Sequence, residues 1–60
     1  MQYGRLTETI VNHVLDTPIV MGQRGERVLV HEIRPDHYEV STEKNASTTF
    51  YATKTQVELI

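Results

Sequence analysis

Three histidines, His13, His31 and His37, with the carboxylates Glu32 and Asp36, are the side chains of this 60-residue chain best suited to ligating a metal or moving a proton. Neutral imidazole is a zinc ligand and a general base near neutral pH, and a catalytic zinc site usually takes three protein ligands. The spacing does not gather such a set. His31 and His37 flank Arg34-Pro35, where a hairpin turn would let them face each other, and His13 stands far off in sequence. Histidines scattered on polar segments are mostly solvated, so no metal and no cofactor is expected. No serine, threonine or lysine sits in a nucleophile context, and the three glycines do not spell a phosphate-cradling G-x-x-x-x-G-K-[ST] loop. An enzyme is therefore not expected, and no catalytic residue is assigned.

The remaining chemistry is that of recognition. In Gly22-Gln23-Arg24-Gly25-Glu26-Arg27 the glycines free backbone amides beside two guanidinium groups, a combination that binds phosphate or carboxylate. Arg24, Arg27 and Arg34 fall within eleven residues. Tyr38, Phe50, Tyr51 and Tyr3 supply aromatic surface. Phe50 and Tyr51 are adjacent, so in a strand they point to opposite faces and one of them belongs to the core. Tyrosine and arginine are enriched at protein-binding hot spots, and rings beside basic groups also stack on the bases of single-stranded nucleic acid. Arg24, Arg27, Arg34, Tyr38 and Tyr51 are the expected partner-binding residues.

These side chains must be positioned by a small β-rich scaffold. From Gly25 to Ile60, β-branched and aromatic runs are cut by turn-forming clusters, which is the pattern of an antiparallel meander. Strands are expected over about 18–21, 26–34, 37–42, 48–53 and 57–60, with a turn at Arg34-Pro35-Asp36-His37, where proline suits position i+1. Ahead of them Tyr3, Leu6, Ile10, Val11, Val14 and Leu15 follow a helical period, and Pro18 would stop a helix, so the spacing predicts one over about 5–16. The β-branched Thr7, Thr9, Ile10, Val11 and Val14 pull the same stretch toward strand. The resulting expectation is a single α+β domain over residues 1–60, an N-terminal helix followed by four or five antiparallel strands, akin to a Src-homology-3-like or Sm-like partial barrel. The expected core is Leu6, Ile10, Val14, Ile19, Val28, Val30, Ile33, Tyr38, Val40, Phe50, Ala52, Val57 and Leu59.

Tyr38 to Ile60 resembles the end of the type II dihydrofolate reductases in its Tyr38-Glu39-Val40 opening, its single turn and its closing Val57-Glu58. That family's Val-Gln-Ile-Tyr catalytic run is replaced by Thr49-Phe50-Tyr51-Ala52, so the resemblance implies a shared barrel layout and no activity.

Composition narrows the function further. A chain of this size removes only about 60% of its unfolded surface on folding, and with no cysteine it has no disulfide to compensate. Self-association, as a homodimer, is expected. The net charge of −2 opposes nucleic-acid binding unless the arginines gather on one side. No apolar run reaches the roughly 20 residues of a membrane span, and the start lacks a signal peptide's pattern, so a cytoplasmic location without membrane contact is expected. Two functions follow. The favoured one is a small protein-interaction module, by analogy a phage or mobile-element accessory protein or inhibitor, docking on a larger, unidentified protein partner. The alternative is a nucleic-acid-binding small barrel using the Arg/Tyr patch.

Overall fold

The computed structural model describes residues 2–60, and these form an all-β molecule. Seven strands follow one another: β1 (Gln2–Leu6), β2 (Ile10–Val14), β3 (Thr17–Gly22), β4 (Arg27–Ile33), β5 (His37–Thr42), β6 (Phe50–Thr53) and β7 (Val57–Leu59). Five make a curled antiparallel half-barrel in the order β6-β5-β4-β1-β7, and β2 and β3 form a separate two-stranded ribbon.

The expected helix over 5–16 is absent. That stretch is the end of β1, a turn and β2. Its apolar spacing served two strands instead: Leu6 and Ile10 enter the core, whereas Val11, Val14 and Leu15 stay exposed, so the residues never share one buried stripe. The β-branched content wins because backbone and threonine groups of the reversal find non-helical partners. Thr7 donates its N–H to the Gln56 carbonyl (2.9 Å) and its hydroxyl to the Thr55 carbonyl (2.7 Å), and Thr9 Oγ1 accepts the Arg24 N–H (3.2 Å).

The core lies in the concavity of the half-barrel. Val28 and Val30 on β4 pair with Thr42 and Val40 on β5, and Tyr38 and Val40 pair with Ala52 and Phe50 on β6. With Leu6, Ile10 and Val57 these inward residues, the polar Thr42 apart, are the buried apolar set. Val14, Ile19, Ile33 and Leu59, expected in the core, are exposed instead. Ile33 and Leu59 sit at strand ends, and Val14 and Ile19 are carried out on the ribbon.

The sheet is not a simple meander in chain order. β7 returns to pair with β1, with Leu6 opposite Val57 and Gly4 opposite Leu59. Gly4 permits this: a Cβ there would lie 2.6 Å from Val57 Cγ1 and 3.1 Å from the Glu58 carbonyl oxygen. Gly25 has φ +86° at the third position of the Gln23–Glu26 turn, closed by Glu26 N–H to the Gln23 carbonyl at 3.0 Å, where a positive φ suits glycine. Among the described residues no helix is long and apolar enough to cross a membrane.

Candidate docking surface

The β2–β3 ribbon is built from β-branched residues and closed by a two-residue turn, Leu15-Asp16, with both residues at positive φ (49° and 64°). That geometry matches the twist of a tight hairpin but favours glycine or asparagine. Aspartate tolerates left-handed backbone better than most residues, whereas leucine there costs roughly 1–2 kcal/mol. Leu15 gains nothing locally in return, since it is 94% exposed.

Alternation assigns the two faces of the ribbon. Asn12 and Val14 share one face with Ile19 and Thr17, all of them exposed, beyond the buried Ile10 at the base. Val11 and Val20 oppose each other on the other face with His13 and Pro18. A bulge between Ile10 and Val11 separates the anchored base from the free arm. At that base Met21 packs against the core, and Gly22 is buried so tightly that a Cβ would come within 2.5 Å of Leu6 Cδ1. Beyond it Val11, Val14, Leu15, Ile19 and Val20 are 41–94% exposed. Such an arm carries aliphatic surface on both faces and at its tip, with only His13 and Asp16 as ionisable groups.

At the base of the ribbon an open cleft of about 600 Å³ is walled by Val20, Met21, the Gly22–Glu26 loop, Thr42, Lys44 and Asn45. Its cations, Arg24 and Lys44, make no ion pair among the described residues. Glu26 also lines the cleft, with its Oε1 accepting the Gln23 N–H at 2.9 Å. The cleft thus joins a partly apolar wall to two cations and one carboxylate.

The five partner-binding residues expected from sequence do not form one patch. Arg24 lies in the cleft. Arg27 stands over the Tyr3 ring at 4.3 Å and faces Glu43 at 3.8 Å. Arg34, at the other end of β4, is paired with Glu32 and with Glu39 (3.4 Å). Tyr38 is buried, with the Lys54 ammonium over its ring at 4.4 Å. Tyr51 is half exposed and stacks on His37 with ring centroids 4.2 Å apart.

The histidines do not converge either. His31 Nε2 lies 2.7 Å from Oγ of the fully buried Ser41, while His37 Nδ1 lies 2.8 Å from Asp36 Oδ1. That hydrogen bond from His37 is the main reason the Asp36 carboxyl is held below its ordinary value. Among the described residues no three His, Cys, Asp or Glu side chains are placed to hold a metal ion. No protein-family model, curated protein sequence or solved structure matches the chain.

Sequence reasoning missed Val11, Val14, Leu15, Ile19 and Val20 as surface, and Lys44 as a partner of Arg24. The available signal was two β-branched runs, Ile10–Val14 and Thr17–Met21, separated by exactly two residues. Leu15-Asp16 hid it, because hairpin turns are ordinarily announced by asparagine and glycine.

Proposed function

We propose that this chain is a small, non-enzymatic protein-interaction module whose contact element is the β2–β3 ribbon. The carrying observation is the exposure of Val11, Val14, Leu15, Ile19 and Val20 on one projecting arm. An isolated two-stranded hairpin is at best marginally stable in water, and fully covering a valine, leucine or isoleucine contributes about 1.5–3 kcal/mol. A protein surface laid on the arm would supply that cover. Leucine at the left-handed tip supports the same reading, since strain that local structure does not repay is a mark of functional positions. The charge distribution favours protein over nucleic acid as the partner: Arg27 and Arg34 face carboxylates, and the chain carries net charge −2.

Photo-crosslinking tests this reading in the cells that express the chain. A photo-reactive phenylalanine analogue at Leu15 is expected to give a discrete protein adduct, and the same analogue at Lys54, which belongs to neither the ribbon nor the cleft, is not. An adduct to nucleic acid, or no adduct from Leu15, would overturn it.

A further inference from the structure

We propose that the occupant of the ribbon is a second copy of this chain: two ribbons lie antiparallel about a two-fold axis, so that Leu15 of each seats on the Val20–Met21 wall of the other copy's cleft and Asp16 of each meets the other's Arg24 and Lys44. The inference rests on the reading of the ribbon as a protein-binding arm and names its partner.

Charge complementarity carries it. Among the described residues neither Asp16 at the exposed tip nor Arg24 and Lys44 in the cleft make an ion pair. They cannot satisfy one another within a single copy. The tip and the base of the cleft lie at opposite ends of β3, and the six residue steps from Asp16 to Gly22 span about 20 Å at strand rise. Two antiparallel arms bring each tip to the other's base, and a two-fold axis makes both contacts at once. The apolar groups match as well, because the aliphatic tip meets a wall that includes the exposed Val20 and the partly buried Met21.

The extent also suits a dimer. The exposed residues of the arm and the cleft, among them Val11, Val14, Leu15, Ile19, Val20, Arg24 and Lys44, lie on one contiguous stretch of surface. Side-chain contact is favoured over backbone pairing through the β3 edge. A proline in a paired strand sits where its missing N–H faces away from the partner strand, so Pro18 leaves a gap in the free edge of β3.

A charge-swap experiment on the full chain tests the proposal. Wild type should sediment as a dimer at tens of micromolar. Asp16→Lys, and separately Arg24→Glu with Lys44→Glu, should each raise the dimer dissociation constant about tenfold or more. Mixing these two weakened proteins, one isotope-labelled, should restore a heterodimer by native mass spectrometry, since each tip then faces a cleft of opposite charge. A monomeric wild type, a dimer indifferent to both changes, or a mixture that stays monomeric would each overturn the proposal. Asp16→Asn keeps a residue that tolerates left-handed backbone and should weaken the dimer in the same direction. If Asp16→Lys fails to fold, an unweakened Asp16→Asn dimer is itself contradictory. The Leu15 adduct separates the two claims: twice the chain mass is expected here, an adduct with a different protein alone would overturn the second copy and leave the interaction module standing, and no protein adduct would overturn both.

Discussion

At the scale of single residues, the positions that spend stability without local return are the informative ones. Leu15→Asn should stabilise the isolated subunit by about 1 kcal/mol, because asparagine accepts φ near 50° more readily than leucine, and should at the same time weaken association. Urea melts at dilute concentration against sedimentation at high concentration would separate the two effects, and a loss of subunit stability would assign Leu15 a structural role. Gly4→Ala should do the opposite, destabilising by about 1–3 kcal/mol, since its new Cβ collides with Val57 Cγ1 and the Glu58 carbonyl where β1 and β7 close together. Asp36 gives a pH signature. The His37 hydrogen bond lowers its pKa, so its contribution is present above the unfolded value of about 3.9 and is lost as pH falls through the lower folded value. An NMR titration should place Asp36 below that unfolded value, and His37→Ala should return it.

At the scale of elements, β7 is only three residues long yet covers one flank of β1 and buries Val57. Removing Val57 to Ile60 should cost about 2 kcal/mol or more, from the lost side chain and the unpaired groups of β1; a truncated chain with an unchanged thermal melt would contradict this. The antiparallel sheet was legible in the sequence because Val28, Val30, Tyr38, Val40, Phe50 and Ala52 follow strand alternation in runs bounded by turn residues. Of the ribbon only β3 was, the strand expected over 18–21 falling within Thr17–Gly22, whereas β2 reads as helix for a physical reason. Tyr3, Leu6, Ile10, Val11, Val14 and Leu15 fit a helical face by spacing alone, and only tertiary partners, Gln56 and Thr55 for Thr7 and Arg24 for Thr9, decide for strand. The candidate site suffered the same way. Arg24, Arg27 and Arg34 are close in sequence, but strand β4 holds the last two apart, and neighbouring carboxylates neutralise them.

At the scale of the whole molecule, a 60-residue chain without disulfides has one small core, a half-barrel with two free edges and an arm of aliphatic side chains. Such a subunit gains stability by mass action when copies associate, so its melting temperature should rise with concentration. If another copy covers the ribbon in solution, hydrogen exchange reads it directly. Between sub-micromolar and hundred-micromolar protein, amides of residues 10–22 should slow by about tenfold or more, while those of β4 and β5 in the half-barrel should lag far behind in their response. Ribbon amides that exchange equally fast at both concentrations would contradict it.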